Sequence, residues 1–396
     1  MPISAMAYVT KHLGFAVTVN TTYEPPYLLA RRMSTLDHLT KRRIGWNIVT
    51  GYLDSAARAM GFERLPEHDA RYDAAEEYLE ILYKLWEASW DDDAVLSDKD
   101  RAIFAEPSKI RAVKHDGQYY KMEGIHLSQP SPQRTPLLFQ ACAAARGQNF
   151  AGRHAECVFL AAPTPQTTRP TVKGLRQKAR AFGREADDVR VLSLITVVVG
   201  RTGKEAVGKL EDYRRHASVE AFLAHYSASI GVDLSKYGLD DPIEQKATNA
   251  NQSALAAITT QASKPVTLRQ IIDQMVLGSR MRPIVGWAEQ VADPWQRGFA
   301  IAVWTASIWG ARWHLKACAT LSIWSYRCCR SAALQGRLCR RPSSTETVRR
   351  QRQVAILAPC RCVSPLTTCG RASRPLDHRP TVCRRQGRSV RRRRRP

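Results

Sequence analysis

Short apolar runs alternate with helical apolar stripes along the front of the chain, and that alternation limits the fold more than any other feature. Residues 15–19 read as a buried strand, and Pro25 and Pro26 open a helix with Leu29, Met33 and Leu36 on one face. Ile44 to Val49 is the next strand. A long helix over about 70–90 follows, with Ala75, Tyr78, Leu79, Leu82, Leu85 and Trp86 as its apolar stripe. Residues 91–135 read as an irregular polar insertion. The rhythm resumes with a strand at 137–141, a short helix around 149–154, a strand at 157–160 and a helix near 171–182. The clearest strand is 189–199, where seven of eleven residues are β-branched. A helix then runs from Gly203 toward Phe222, and 225–280 reads as a second, partly helical insertion. Five strand–helix units in series call for an α/β fold with a parallel sheet. A partial (β/α)8 barrel and a doubly wound sheet would both produce that pattern. Neither a glycine-rich dinucleotide fingerprint nor a P-loop is present to favour the latter.

The formal charge of +24 invites a nucleic-acid reading, and its distribution argues against one. Residues 296–396 hold 22 Arg and one Lys against two acids, Glu346 and Asp377. The whole chain carries 60 basic and 36 acidic side chains, so residues 1–295 keep 37 and 34 of them and are nearly neutral. Eight of the ten cysteines also fall in the tail, at Cys318, Cys328, Cys329, Cys339, Cys360, Cys362, Cys369 and Cys383. Their spacing fits neither a zinc module nor a disulfide framework, so no metal site is expected. Acidic residues and Lys nearly vanish while Arg, Cys, Ser and Trp rise together, as in a GC-rich gene translated out of frame from about residue 295. A basic arm ending in Arg391–Arg395 is the alternative, and would make the chain a nucleic-acid-binding protein. A non-functional gene remnant is the third. No run approaches the roughly 18 apolar residues of a membrane span, and no signal pattern opens the chain, so a cytoplasmic protein is expected.

Three front segments carry residues that are costly where they sit. "TVNTTY" (18–23) ends a strand, where polar side chains line the active face of a barrel or simply form a turn. "GWNIVTGY" (45–52) places Asn47 in a strand, where its amide meets a ligand edge or ties two strands together. His68 and Tyr72, four apart near a helix start, face one side. They suit a phosphate ester at a helix N-terminus or a solvated first turn.

The runs "PPYLLARRMSTLDHLTKRRIGWNIVTGYLDSAARAMG" and "HDARYDAAEEYLEILYKLWEASW", with "GIHLSQPSPQRTPLLFQA" and "GWAEQVAD", resemble the bacterial-luciferase-type flavin monooxygenases. Within these the resemblance is to the nitrilotriacetate monooxygenase component A and dibenzothiophene-sulfone monooxygenase group, with long-chain alkane monooxygenase as a cousin. It implies a luciferase-like (β/α)8 TIM barrel and a two-component system. Reduced FMN would come from a separate NAD(P)H:flavin reductase, and oxygen activated on it would be transferred to a carbon, nitrogen or sulfur centre of a small organic substrate. Carried over by motif, Thr18 and Asn47 would sit by the isoalloxazine ring, and His68 and Tyr72 on the phosphate side. No catalytic residue is assigned, and a family-like homo-oligomer remains open.

The chain departs from the family in ways that bear on activity. Two further β/α units precede the matching segment in family members, so the resemblance implies barrel strands three to seven, with insertions, over residues 1–295. Residues 296–396 form an Arg- and Cys-rich tail. The phosphate motif Gln-Ala-Gly-x-Ser-x-x-Gly reads Gln140-Ala141-Cys142-Ala143-Ala144-Ala145-Arg146-Gly147, with Ala144 in place of the serine, and Trp287 replaces a small residue. These changes predict weak or absent FMN binding, and Ala144→Ser alone is expected to do little. The tail beyond about residue 300 is expected to lack a packed core. Limited trypsin digestion should therefore cut there first, and a fragment pattern with the tail intact and the front cleaved would contradict it.

Overall fold

The computed structural model describes residues 2–141, 144–161, 165–193, 196–262, 264, 266–275, 277 and 282–291. The readings made on the 296–396 tail lie outside the described residues. The chain opens with α1 (Ile3–Val9), β1 (Phe15–Asn20), α2 (Pro26–Thr40), β2 (Ile44–Val49), α3 (Asp54–Ala59) and α4 (His68–Tyr83). Two hairpins follow, from β3 (Val95–Asp98) with β4 (Ile103–Ala105) and from β5 (Val113–Asp116) with β6 (Lys121–Gly124). Then come β7 (Leu137–Ala141), α5 (Ala145–His154), β8 (Cys157–Leu160), α6 (Pro165–Ala181), β9 (Arg190–Ser193) and β10 (Val197–Val199). The described part ends with α7 (Gly203–Arg215), α8 (Val219–Ile230), α9 (Gln252–Ile258), α10 (Leu268–Met275) and β11 (Ile284–Gly286).

Five strands form one sheet in the order β1-β2-β7-β8-β9, and every pairing is parallel. Strand order thus follows chain order, as in a β/α barrel, and a closed barrel is not formed by these five strands. Each strand alternates its faces. Trp46, Ile48, Leu138 and Val158, all nearly inaccessible, pack toward the helices. Leu29, Met33 and Leu36 of α2, Ala75, Tyr78, Leu79 and Leu82 of α4, and Leu85 and Trp86 share one core with Trp46, Ile48 and Leu138, while Val158 packs in a second core with Leu175 and Ala179 of α6. The expected stripes of both helices are therefore buried. The long helix starts at His68, and its last turn, Lys84–Ala88, widens into a π-helix. That widening sets Trp86 against α2, where its indole N–H donates to the Ala30 carbonyl at 3.2 Å.

Four expectations change. Residues 91–135 are not irregular but hold the two antiparallel hairpins, whose strands of three or four residues are too short to show a period. The single strand expected over 189–199 is two strands in different sheets, β9 beside β8 and β10 beside β11. A β-branched run is compatible with either partner, so composition cannot register the change. The helix expected from Gly203 toward Phe222 breaks at Ser218, whose hydroxyl accepts the Ala221 N–H and starts α8. The short helix around 149–154 begins earlier, at Ala145. The second insertion is partly helical as expected, and α8, α9 and α10 enclose a core of their own around Ile230, Leu255 and Ile271. Among the described residues no helix is long and apolar enough to cross a membrane.

Two buried polar side chains hold the first insertion against α2. Asp37 of α2, 1% exposed, accepts the Gln133 N–H and the Gln133 side-chain amide, each at 2.7 Å, and that amide also donates to the Ile44 carbonyl. Asp37→Ala would orphan both donors, so a loss of about 2–3 kcal/mol in denaturant unfolding is expected. His126 is buried beside Ser34 (Nε2···Oγ 3.0 Å), and its carbonyl accepts the Trp90 indole N–H at 2.7 Å. Burial, with the Arg31 charge, pushes its pKa down from 6.5 to about 4. The unfolded chain then takes up the proton first, so the stability His126 contributes is complete above pH 6.5 and is lost as pH falls to about 4. Comparing unfolding of the wild type and His126→Gln across that range checks this. The wild type should lose stability more steeply, and parallel curves would refute it.

Candidate functional site

β1 and β2 run in register, which puts Thr18 opposite Asn47. The Asn47 amide N–H donates to the Thr18 hydroxyl oxygen at 3.0 Å. Its amide oxygen is buried and accepts nothing. An acceptor in that state costs free energy until a donor meets it. Gly45 lies two residues earlier on the same face, where a Cβ would sit 2.7 Å from the Phe139 ring and 2.9 Å from the Leu137 carbonyl. Glycine there lets Phe139 lie flat across the sheet, stacked on Phe159 with ring centroids 5.5 Å apart. The face thus presents an amide–hydroxyl pair beside an aromatic shelf, suited to a flat ligand with polar edges.

Beyond Thr18 the strand end is locked to its neighbour. The Thr22 hydroxyl donates to the Thr50 carbonyl at 2.9 Å, and the Asn20 side chain accepts the Thr22 N–H at 2.7 Å. Gly51 completes this end with φ +77°, and a Cβ there would meet the Asn20 amide.

His68 and Tyr72 lie together at the start of α4, and Ala144 lies at the start of α5. His68 is the first residue of α4, and its ring lies 5.3 Å from that of Tyr72. His68 Nδ1 is 2.6 Å from the Asp69 carboxylate, so the histidine is not free for a ligand without that partner. Tyr72 is buried, its ring 5.6 Å from Phe150 of α5. Ala144 is the N-cap of α5 in extended conformation and has no side-chain oxygen to cap the helix. Among the described residues no side-chain oxygen caps this ten-residue helix.

Sequence reasoning missed the charges that join these two helix starts. Arg146, two residues past Ala144, sits with its guanidinium 5.9 Å from the Tyr72 ring centre. It pairs with Asp73 at 2.7 Å and Glu76 at 3.6 Å. Glu76 also meets Arg153 at 2.9 Å and His154 Nε2 at 2.6 Å. Burial raises the Glu76 carboxyl, but the hydrogen bond and charge of His154, with Arg153 and Arg146, outweigh it and hold the group below the usual carboxylate range. The signal was a spacing: Asp73 and Glu76 are three apart on one helix, Arg146 and Arg153 seven apart on the other. Only the packing of α4 on α5 makes them partners.

The profile of the luciferase-like monooxygenases matches residues 1–296. The chain is 52% identical over 243 residues to the long-chain alkane monooxygenase of Geobacillus thermodenitrificans strain NG80-2, covering 61% of this chain and 55% of that protein. It is 42% identical over 296 residues to the dimethyl-sulfide monooxygenase of Hyphomicrobium sulfonivorans, covering 74% and 62%. The chain therefore spans less than two thirds of the length of these two relatives. The dibenzothiophene-sulfone and nitrilotriacetate enzymes match as well, at lower identity. A crystal structure of a riboflavin lyase with modified FMN and riboflavin superposes with a TM-score of 0.73 at 34% identity, over 81% of this chain and 70% of that one. With its all-parallel sheet in chain order, the chain belongs to the luciferase-like monooxygenase family and is related to several of its members rather than to one in particular.

Proposed function

We propose that the chain is the oxygenating part of a two-component, FMN-dependent monooxygenase. The buried, unanswered amide oxygen of Asn47 beside the Thr18 hydroxyl carries the reading, because a flavin ring edge offers an N–H to such an acceptor. Reduced FMN, delivered by a partner flavin reductase, supplies the chemistry that moves one atom of O2 to a small organic substrate. The chain's own residues bind, orient and exclude water. Asn47 and Thr18 would hold the ring against the Phe139–Phe159 shelf. His68, Tyr72 and the α5 start at Ala144 would hold the phosphate, where helix N–H groups and dipole favour an anion. The flavin-binding part falls within residues 1–295, as strands three to seven of a (β/α)8 barrel, with 296–396 a separate tail. The profile match over 1–296 and the strand order support this division.

Ala144 cannot make the hydroxyl contact that a serine would, which weakens hold on a charged phosphate about ten- to a hundred-fold. FMN is therefore expected to quench with a midpoint weaker than micromolar. In the same titration Asn47→Leu should weaken FMN and riboflavin alike, about tenfold for one lost hydrogen bond. Ala144→Ser should leave riboflavin unchanged and shift FMN only slightly, because the full effect of that hydroxyl needs a flavin already held by a closed barrel, which the five parallel strands do not form. Unchanged flavin binding in Asn47→Leu would remove the basis of the reading.

A further inference from the structure

The β3–β4 hairpin of the first insertion stands on a stem whose charges are paired. Asp91 meets Arg111 at 2.5 Å, Asp92 meets Arg134 at 2.8 Å, and Asp93 meets Lys109. The Glu106 N–H donates to the Ala94 carbonyl at 2.9 Å, and a Trp90–Ile110 bridge closes the stem below it. Above the stem, Leu96 and Phe104 are 43% and 57% exposed. Val95 pairs with Ala105, so the next step along the ladder sets Leu96 opposite Phe104 on one face. The two strands, of four and three residues, pair with no third strand among the described residues. Such a ribbon is marginal in water unless its apolar face is covered.

The tip, Asp98-Lys99-Asp100-Arg101, alternates in sign. Asp98 accepts the Arg101 N–H at 3.0 Å and faces its guanidinium at 3.9 Å, and the Ala102 N–H donates to the Lys99 carbonyl at 3.4 Å. Ser97 and Ala102 flank the tip at φ +50° and +55°, left-handed values that residues other than glycine seldom take. Lys99 and Asp100 are exposed at its centre, and among the described residues neither has an ion-pair partner.

A fixed loop that sets one unpaired cation beside one unpaired anion, above an apolar pair, is complementary to itself. A two-fold axis along the hairpin, with two hairpins face to face, lays β3 of one on β4 of the other. Leu96 then meets the partner's Phe104 and Lys99 the partner's Asp100, and the symmetry makes each contact twice. We propose that the β3–β4 hairpin is a self-association element that docks on the same hairpin of a second copy of this chain. Residues 95–105 bury far less than the roughly 1,600 Å² of a standard interface, so the association is weak and reversible. It uses no residue of the flavin reading, and neither depends on the other.

The test is sedimentation velocity of the full chain over a range of concentrations. The wild type should shift reversibly toward a dimer as concentration rises, and salt should weaken the shift. Lys99→Glu sets like charges against each other across the axis, and so does Asp100→Lys. Each clash occurs twice, so either change should weaken association about tenfold. Mixed in equal amounts, the two variants should associate again, because the mixed dimer restores opposite charges at both contacts. Phe104→Ser should also weaken association about tenfold while leaving the thermal midpoint of the single chain unchanged or higher, since that ring is exposed before docking. A chain that stays monomeric at every concentration overturns the proposal. Association untouched by Lys99→Glu and Phe104→Ser also overturns it, by placing the contact elsewhere. So does a mixture of the two charge variants that associates no better than either alone.

Discussion

The parallel hydrogen-bonded ladder from β1 to β9 is the constraint on which the rest depends. Parallel strands all leave the sheet at the same end, so the loops that follow β1, β2 and β7 converge there. That direction brings Tyr23 and the start of α5 to one end of the sheet. The register then chooses the faces: with Thr18 opposite Asn47, a shift by one residue would turn the Asn47 amide into the helix-packed core.

Buried polar groups divide into those that are satisfied and those that are not. Asp37 and Glu76 meet donors on more than one side and join separate elements, α2 to the first insertion and α4 to α5. Glu156 is the extreme case. Full burial raises its carboxyl well above the ordinary range, and it accepts the Leu138 N–H at 2.9 Å, linking β7 to the start of β8. By contrast the Asn47 oxygen on the candidate-site face lacks a partner, as do the Tyr78 hydroxyl and His126 Nδ1 in the core and the Tyr237 hydroxyl of the second insertion. A protein core tolerates few such groups, and each one calls for its own explanation.

Much of the scaffold was legible in the residues. The stripes of Leu29, Met33 and Leu36, and of Ala75, Tyr78, Leu79 and Leu82, are buried as their spacing requires. The first four strands of the main sheet lie where the apolar runs are. The hairpins β3–β4 and β5–β6 were illegible because three or four residues make no period. The break between β9 and β10 was hidden because Val, Ile and Thr suit any strand neighbour. Site residues were legible as pairs but not as a site: Thr18 with Asn47, and His68 with Tyr72, are in contact. Arg146 and Asp73 escaped notice because charges at helix starts are common.

By itself the sequence determined the alternation of strands and helices, the buried stripe of each long helix, the neutral front with its basic tail, and kinship to flavin monooxygenases. Those properties follow from residue type and short-range spacing, which the chain carries whether or not it is folded. Only the tertiary structure decided which donors and acceptors end without partners, which helix charges pair, and that Arg71 reaches Asn249, 178 residues away. Hydrogen bonds and ion pairs act over a few ångströms, so their partners are set by packing between distant segments, which local spacing does not encode.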